Sequence, residues 1–436
     1  MRDDASWTYG VGVNRAVAVA VAAVAGLAML GLACESAPTT AAGGTPPSFI
    51  VLNPTADPST SQTVTWRSSA YADQRIIVRP AAGGNGITFK ATRKPATSVD
   101  TTGSARPAYT ATATGLKPGT SYTYVVKNAH AISATLPFTT ATSGYTGPWS
   151  FIGLGDTQVK NADVPAKIVS RAFHTVPRAR IVLQAGDSVN RPYIHQEWVD
   201  LFRAMGRSGS TRDWLISIGN HEQCILVKSC QSDDALAFRT YFTWPGGQVD
   251  GQRPTWFATD YQGVRFVVID SFGPDLAEQA EFLDQQLSDN PYKWSVVLMH
   301  AGPFASRGDR TNSKVFSLVQ PVLERHDVDL VLAGHDHSYA RGFHGGHHTT
   351  VYATSDSGPK YYSSSKTDWV RRGATRVRWG TDVSTFQIID VRRDTLTYRA
   401  IVAAKGAHPT TSRPLGATLD KVVISKDAEG TKTVTW

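Results

Sequence analysis

Five short apolar runs in this chain each end in a residue type that binds metal ions. The runs span residues 151–156, 181–187, 215–220, 296–300 and 330–337, and in four of them a glycine comes directly before a candidate ligand. Strands buried inside an α/β domain read as continuous apolar runs, and they present polar side chains from their carboxyl ends to a crevice above the sheet. Five such runs in succession predict a metal site at one edge of a sheet, where glycine lets the chain turn sharply.

The donor types suit two divalent ions that share one carboxylate. Two ions about 3.5–4 Å apart need a bridging anionic oxygen, with oxygen and imidazole donors around each of them. His335 and His337 alternate along an extended segment and can therefore reach neighbouring ions, as Asp156 and Gln158 can. We assign Asp156, Gln158 and His337 to the first ion, Asn220, His300 and His335 to the second, and Asp187 to both.

These residues resemble the calcineurin-like metallophosphoesterases, and in particular their purple acid phosphatase-like branch. The resemblance covers about the last two thirds of the chain, and it implies an α/β four-layered sandwich that hydrolyses phosphoric esters with two metal ions. The strings that carry it are Gly155-Asp156, Gly186-Asp187, Gly219-Asn220-His221-Glu222, Val297-Leu298-Met299-His300 and Gly334-His335-Asp336-His337-Ser338-Tyr339.

Two positions depart from the pattern that the resemblance implies. Purple acid phosphatases carry a tyrosine three residues after the bridging aspartate, where its phenolate stabilises a ferric ion and gives the colour; this chain has Asn190 there. Gln158 stands where the wider family often has histidine. Asp156, Asp187 and one hydroxide supply about three negative charges against four on two divalent ions, so a ferric ion would be poorly compensated. We therefore expect a colourless site with two divalent ions of manganese, zinc or iron.

The resemblance also suggests how the remaining polar residues act. A metal-bound hydroxide is expected to attack phosphorus, with no covalent enzyme intermediate. His221, next to Asn220, is placed to donate a hydrogen bond to the phosphoryl group or a proton to the leaving oxygen, and Glu222 could orient it. The candidate substrate contacts are Asn190, Asp336 and Tyr339, with a turn or supporting role as the alternative for each.

Charge and composition limit the classes of partner. The 436 residues include 44 basic and 36 acidic side chains, for a net charge of +8. A basic surface steers phosphorylated small-molecule substrates towards a site. The basic residues are mostly scattered, which argues against specific nucleic-acid binding, and no protein partner is evident.

The amino-terminal segment and the cysteines favour export. Residues 16–33 form an uninterrupted small-apolar stretch after Arg15, as in a secretory signal. The stretch ends in a sequence that resembles a bacterial lipoprotein signal with Cys34 as the lipidated residue, so a lipid anchor in the membrane is an alternative to secretion. Cys224 and Cys230 would form a disulfide in an oxidising compartment; the alternative is two free thiols in a cytosolic protein.

The sequence predicts a multidomain protein. Alternating runs at 63–66 and 75–78 predict an all-β sandwich, and residues 116–125 resemble the tyrosine corner of an immunoglobulin-like or fibronectin type III-like domain, with Trp66 in its core. Downstream, strands alternate with helical patterns such as 275–287, and a hairpin is expected around 386–402. We divide the chain into a signal peptide (1–33), a low-complexity linker (34–47), a fibronectin III-like domain (48–144), a metallophosphoesterase domain (148–405) and a carboxyl-terminal strand or tail (406–436).

The function expected from these patterns is hydrolysis of phosphomonoesters outside the cytoplasm, as in acid phosphatases. A phosphodiesterase or nucleotide pyrophosphatase is the enzyme alternative, because the same metals serve both reactions. A third hypothesis is a non-catalytic surface or adhesion protein whose metal domain is vestigial. It is opposed by seven intact residues: Asp156, Asp187, Asn220, His221, His300, His335 and His337.

Overall fold

The computed structural model describes residues 44–94, 107–223, 235–245, 255–345 and 350–436. These residues form an amino-terminal β domain followed by an α/β domain. The strands of the β domain are β1 (Ser48–Asn53), β2 (Gln62–Arg67), β3 (Arg75–Pro80), β4 (Ile87–Lys90), β5 (Thr92–Arg93), β6 (Ala108–Ala113), β7 (Ser121–Lys127) and β8 (Leu136–Thr139).

The α/β domain alternates strands and helices in its first half and ends in a run of strands. Its first half holds β9 (Trp149–Leu154), α1 (Asp163–Thr175), β10 (Ile181–Ala185), α2 (His195–Gly209), β11 (Asp213–Ser217), α3 (Leu236–Tyr241), β12 (Phe257–Tyr261), β13 (Val264–Ile269), α4 (Leu276–Ser288) and β14 (Trp294–Met299). Its second half holds a π-helical turn (Val315–Val319), α5 (Gln320–Arg325), β15 (Leu330–Ala333), β16 (Tyr339–His344), β17 (Val351–Thr354), α6 (Thr367–Arg371), β18 (Ala374–Gly380), β19 (Val383–Val391), β20 (Thr395–Lys405), β21 (Thr418–Lys426) and β22 (Lys432–Thr435).

The β domain is a sandwich, as its alternating pattern predicts. One sheet has the strand order β4-β3-β7-β8, and it packs on β1, β2 and β6 across a core that contains Trp66. The indole N–H of Trp66 donates to Oε1 of Gln74 at 2.8 Å, so its polar atom is satisfied inside the core. The Tyr122 hydroxyl accepts a hydrogen bond from the backbone N–H of Lys117 at 2.9 Å, which closes the segment that resembles a tyrosine corner.

The two domains share a sheet. Strands β1, β2, β6 and β5 continue an eleven-stranded sheet with the order β22-β21-β20-β19-β9-β10-β11-β1-β2-β6-β5. The junction is a parallel pairing of β1 with β11, where Leu52 lies opposite Asp213. Gln62 of the β domain donates to the buried Asp213 carboxylate at 2.7 Å and adds a polar contact at the same seam.

The α/β domain has four layers. The second sheet has the order β12-β13-β14-β15-β17-β16-β18, with β13, β14, β15 and β17 parallel. Successive residues of a strand face opposite sides, so Val296 and Leu298 of β14 pack between the two sheets while Val297 and Met299 pack under α4 and α5. Helices α1 and α2 cover the other face of the eleven-stranded sheet. The expected helix–sheet–sheet–helix sandwich is confirmed.

The predicted secondary elements around the core are also present. Helix α4 begins within one residue of the expected position and buries Leu276, Leu283 and Leu287, with Phe282 partly buried beside them. Strands β19 and β20 form the expected antiparallel hairpin. Residues 418–435 pair onto β20 as the strands β21 and β22, so this segment is the edge of the large sheet.

Within the described ranges, the chain has no helix that combines the length and the apolarity needed to cross a bilayer. The predicted signal segment 16–33 and the residues Cys34, Cys224 and Cys230 lie outside those ranges.

Candidate metal centre

The candidate ligands lie at the carboxyl ends of parallel strands. Asp156 follows β9 by two residues, Asp187 follows β10 by two, and His300 comes directly after β14. Asn220 follows β11, and the segment with His335 follows β15. Because strands β9, β10 and β11 are parallel neighbours, as are β14 and β15, these ends meet at one edge of the two packed sheets.

The first group of donors surrounds Nε2 of His300. This nitrogen lies 3.1 Å from Oδ2 of Asp187, 3.2 Å from Nδ1 of His335 and 3.2 Å from Oδ1 of Asn220. On the other side of the ring, Nδ1 of His300 donates to the backbone carbonyl of Ala185 at 2.7 Å. That bond fixes the tautomer and leaves the Nε2 lone pair directed into the group.

A cation between these atoms satisfies all of them. In the neutral ring, Nε2 of His300 faces Oδ2 of Asp187 and Oδ1 of Asn220, which offer only lone pairs, and this arrangement is repulsive unless a positive charge lies among them. Burial lowers the pKa of His300, but the charges of Asp187 and Asp156 outweigh it and raise that pKa to about 10. The surroundings therefore favour positive charge at this point, as a site for a divalent ion requires.

The second group contains Asp156, Asp187 and His337. Oδ1 of Asp156 lies 3.8 Å from Nε2 of His337, and among the described residues it has no hydrogen-bond partner although it is fully buried. Burial and the charge of Asp187 raise the pKa of Asp156 to about 7. A buried carboxylate oxygen without a donor is costly unless a cation binds it. The group therefore fits a second ion, and Asp187 belongs to both groups.

Gln158 has a buried amide oxygen that is available to a cation. Its side chain is buried, and its Oε1 has no hydrogen-bond partner among the described residues. Its Nε2 lies 2.6 Å from Nε2 of His221. The amide nitrogen is thus directed at the imidazole, and the amide oxygen is left free to bind a metal ion through its lone pairs.

Several of these residues have a strained backbone. The φ angles are 35° at Gln158, 45° at Asp187, 75° at His335 and 46° at His337. Residues other than glycine rarely adopt positive φ, and each instance costs about 1–3 kcal/mol. Such strain persists only where the surroundings impose it, and here it coincides with four candidate ligands.

Two of the predicted glycines are required by close packing against the carboxylates. A Cβ atom on Gly334 would lie 2.5 Å from Oδ2 of Asp156, and one on Gly219 would overlap the carboxylate of Asp187. No larger residue fits at either position without moving a candidate ligand.

His221 lies beside the carboxylate shared by the two groups. Its backbone N–H donates to Oδ1 of Asp187 at 3.0 Å, and its Nε2 lies 3.8 Å from Oδ2 of the same residue. Its Nδ1 donates to the backbone carbonyl of Asn190 at 2.6 Å. Because a carbonyl can only accept, this bond fixes the proton on Nδ1 and leaves Nε2 as the acceptor from Gln158.

Glu222 is placed differently from the sequence expectation. Its carboxylate accepts four backbone N–H bonds, from Asp187 at 3.0 Å, Ser188 at 2.6 Å, Val189 at 3.1 Å and Gly219 at 2.9 Å. None of these bonds reaches the His221 ring that it was expected to orient. Glu222 instead joins the loop after β10 to the loop after β11, and so fixes the positions of Asp187 and Asn220.

The structure corrects the expectation that Tyr339 contacts substrate. Tyr339 begins strand β16, its side chain is fully buried in the core between the two sheets, and its hydroxyl donates to Oδ2 of Asp420 at 2.8 Å. The side chain is inaccessible to a bound ester because a strand in the middle of a sheet is covered on both faces. Proximity to His337 in sequence did not place it at the site.

Asn190 and Asp336 act through contacts that the sequence did not reveal. The backbone N–H of Asn190 donates to the buried Glu197 at 2.9 Å, and its carbonyl holds the His221 ring. The Asp336 carboxylate is buried, accepts from the backbone N–H of Ser306 and lies 3.2 Å from Nη1 of Arg310. Both residues therefore order the loops around the centre.

Sequence reasoning missed one carboxylate at the centre, Asp356. Its Oδ1 lies 3.2 Å from Nδ1 of His337, and the residue is fully buried. An imidazole that ligates a metal commonly donates its other N–H to a carboxylate, which orients the ring and makes it more basic. The signal was present, because the buried strand β17 is followed two residues later by Asp356, as the other strands are by their ligands.

We expect Asp356→Asn to lower the affinity for the ion at His337 about 10- to 100-fold without unfolding the protein. The amide is the same size, but it no longer polarises the imidazole. Titration of the metal-free protein with Mn²⁺ in a calorimeter measures the loss. Asp390→Asn is the matched control, because Asp390 pairs with Ser150 and Arg399 at the opposite end of β9. Equal affinities in the two variants would contradict the role.

The fold and the centre together define a class. Two donor groups that share Asp187, at the carboxyl ends of strands in a pair of sheets flanked by helices, are the arrangement of a metallophosphoesterase. Residues 150–339 match the family model of the calcineurin-like phosphoesterases, and residues 47–140 match that of the purple acid phosphatase N-terminal domain. The chain therefore contains a calcineurin-like phosphoesterase domain, preceded by a domain of the type found at the amino terminus of purple acid phosphatases.

Individual relatives agree with this placement. Purple acid phosphatase 21 of Arabidopsis thaliana is 29% identical over 158 residues, which are 34% of this chain and 35% of that protein. An uncharacterised protein of Mycobacterium tuberculosis is 27% identical over 164 residues, or 33% of this chain and 30% of its own length. The matches thus span about a third of the length of these curated relatives.

Solved structures share the fold. The purple acid phosphatase PPD1 from yellow lupin (Lupinus luteus) seeds superposes with a TM-score of 0.69 at 16% identity, covering 88% of this chain and 75% of that one. The structure of PhoD superposes with a TM-score of 0.61 at 12% identity, covering 89% and 92%.

Proposed function

We propose that this protein is an exported phosphatase that hydrolyses phosphomonoesters at a centre of two divalent ions. The observation that carries the proposal is the convergence of lone-pair donors on Nε2 of His300, together with a second group that shares Asp187. The residues that would hold the ions are Asp156, Gln158, Asp187, Asn220, His300, His335 and His337.

Bound ions supply Lewis acidity, which lowers the pKa of water and neutralises the phosphoryl oxygens. The protein holds the side chains that would bind the ions in fixed positions. Asp187 is held from two sides, since Glu222 binds its backbone N–H and His221 donates a backbone N–H to its side chain. The hydrogen bond to the backbone carbonyl of Ala185 fixes the His300 ring, and the contact between Nδ1 of His337 and the Asp356 carboxylate fixes the His337 ring. A centre fixed in this way needs little rearrangement during the reaction.

His221 is the group proposed to act on the substrate. Its ring is partly exposed, with 16% of the side chain accessible, whereas the side chains of Asp187 and His300 are buried. The Asn190 carbonyl accepts the hydrogen bond from Nδ1, so Nε2 is the nitrogen that can donate a proton or a hydrogen bond to the ester. For that purpose Nε2 must be released from the Gln158 amide and must carry a proton, which it then gives to the leaving oxygen.

The proposal also states that both metal ions are divalent and that neither of them is ferric iron. The position three residues after Asp187 is Asn190, which contributes a backbone carbonyl to His221 and has no phenolate. Without that phenolate, the added charge of a ferric ion would be poorly compensated.

Export is proposed from the apolar stretch 16–33 and the lipoprotein-like sequence at Cys34. Mass spectrometry of the mature amino terminus tests it. A chain that begins at a lipid-modified Cys34 supports anchoring, and an uncleaved chain would refute both export hypotheses.

Activity and metal dependence can be tested together. We expect the purified protein to hydrolyse p-nitrophenyl phosphate faster than bis-p-nitrophenyl phosphate, to lose that activity after treatment with EDTA, and to recover it with Mn²⁺. The reloaded protein should show no visible absorption band from a tyrosinate bound to ferric iron. Faster cleavage of the diester would instead identify a phosphodiesterase, and silence on both substrates with metal bound would identify a non-catalytic protein.

A further inference from the structure

Three cationic side chains surround one aromatic ring beside the metal centre. We call Arg307, Arg310, Lys360 and Tyr362 the cationic rim. The Cζ atoms of Arg307 and Arg310 lie 4.0 Å and 5.6 Å from the centroid of the Tyr362 ring, and Nζ of Lys360 lies 5.1 Å from it. Such distances allow each cation to be attracted to the ring.

Tyr362 connects the rim to the centre. Its ring meets the imidazole of His337 edge to face, with centroids 4.8 Å apart and an interplanar angle of 86°. Its backbone N–H donates to the carbonyl of His337 at 3.1 Å. A substrate phosphoryl group at His337 would therefore have the rim next to it.

The three cations differ in how they are compensated. Arg307 pairs with Asp309 at 2.7 Å, and Arg310 pairs with Asp336 at 3.2 Å and also donates to the backbone carbonyl of His335. Lys360 is partly buried, and within the described ranges its direct contact is with the ring of Tyr362, without a hydrogen bond or ion pair. The rim thus carries one ammonium group that forms no direct ion pair with a carboxylate of those residues, and the nearby charge that bears on it is the buried Asp356.

The imidazoles of His300 and His335 have a different kind of neighbour. Phe272 packs edge to face on His335, with centroids 5.0 Å apart, and also contacts the ring of His300. An ester bound at the ions would meet an apolar ring beside His335 and positive charge beside Tyr362. The asymmetry favours substrates whose organic part is anionic on one side.

We propose that Lys360, held against the ring of Tyr362, binds a second anionic group of the substrate. The preferred substrates are then phosphomonoesters whose organic part carries a carboxylate or a further phosphate a few bonds from the ester. This inference rests on the proposed function, since it names the substrate class of the same centre. Lys360 makes a specificity contact, and the hydrolysis of simple esters does not depend on it.

A set of matched substrates isolates this contact. Phenyl phosphate, 3-carboxyphenyl phosphate and 1,3-phenylene bisphosphate share the reacting group and differ in the second anion. We expect Lys360→Gln in the Mn²⁺-loaded full chain to lower kcat/KM about tenfold for the two doubly anionic esters relative to phenyl phosphate, chiefly through KM, since a hydrogen bond to a charged group is lost. The ratio between the carboxylate and the bisphosphate probes identifies the preferred anion.

Two further variants serve as controls. Lys314→Gln removes an exposed lysine of the same domain and should leave the substrate ratio unchanged. Lys360→Arg keeps the charge and should restore most of the preference. An equal loss on all three esters would mean that Lys360 only supports the centre, and no loss would mean that it lies outside the substrate path; either result overturns the proposal.

A binding experiment separates this inference from the proposed function. Phenylphosphonate and 3-carboxyphenylphosphonate cannot be hydrolysed, and their affinities can be measured by calorimetry with Mn²⁺-loaded protein. If the wild type cleaves no ester yet binds the carboxylated phosphonate more tightly in a manner that depends on Lys360, the phosphatase proposal fails and the anion site stands. Equal binding of both phosphonates by the wild type would refute the anion site whatever the activity.

Discussion

Replacing His221 with Ala is expected to lower kcat/KM for aryl phosphates about 10²- to 10⁴-fold while both metal ions stay bound. A positioned acid or hydrogen-bond donor contributes a factor of this size. The ring of His221 lies beside Asp187, yet its contacts run to Asn190 and Gln158 and not to the other imidazoles. Steady-state kinetics together with elemental analysis of the purified variant measure both parts of the expectation.

The leaving group distinguishes the two roles open to His221. p-Nitrophenolate leaves without a proton, whereas an alkoxide must be protonated as the bond breaks. If His221 is the proton donor, the loss in His221→Ala is larger for an alkyl phosphate than for p-nitrophenyl phosphate. If it only binds the phosphoryl oxygens, both substrates lose equally.

Asn190→Ala is the matched control for this experiment. The bond that orients His221 uses the backbone carbonyl of Asn190, which alanine retains. We expect this variant to keep activity within a few-fold of the wild type. Unaltered turnover in His221→Ala would exclude both roles of the imidazole.

The candidate ligands could be predicted because each one is encoded locally. A buried parallel strand gives an apolar run, its carboxyl end gives the ligand, and the order of the strands gives the order of the motifs. The roles of Gly219 and Gly334 could be predicted for a related reason, since packing against a carboxylate leaves no room for a side chain. The same logic reaches Asp356, which follows strand β17, but Ser355 and not a glycine comes before it, so the local pattern singles it out less clearly.

Contacts between distant segments could not be predicted in this way. Proximity to His337 in the sequence suggests a substrate contact for Tyr339, but the chain enters strand β16 there and buries the ring between the sheets. The cationic rim joins a loop after β14 to a loop after β17, and nothing in either segment alone indicates that Arg307 and Lys360 share one ring. Pairing of β1 with β11 is equally non-local, so the sequence indicated two domains without showing their common sheet.

We expect Glu222→Gln to lower the free energy of unfolding by about 3–5 kcal/mol and to weaken metal binding as a consequence. Both oxygens of Glu222 accept two backbone N–H bonds each. In glutamine one oxygen becomes an NH₂ group, which faces two N–H donors inside the protein, so two bonds to a charged acceptor are lost and two buried donors are left unsatisfied. Denaturant unfolding of the metal-free variant and titration with Mn²⁺ measure the two effects.

The control for Glu222 is a second buried carboxylate with a similar set of donors. Glu197 accepts the backbone N–H groups of Asn190 and Arg191 and the Arg191 side chain, so its bonds fall three and four residues beyond Asp187 and none of them joins the loop after β10 to the loop after β11. Glu197→Gln should therefore lower stability while leaving the affinity for Mn²⁺ nearly unchanged. If Glu222→Gln instead kept its stability and its metal ions but lost turnover, the carboxylate would act in catalysis, as its place next to His221 in the sequence first suggested. A joint loss of stability and metal affinity, seen only in Glu222→Gln, would show that this residue works by tying two ligand loops together.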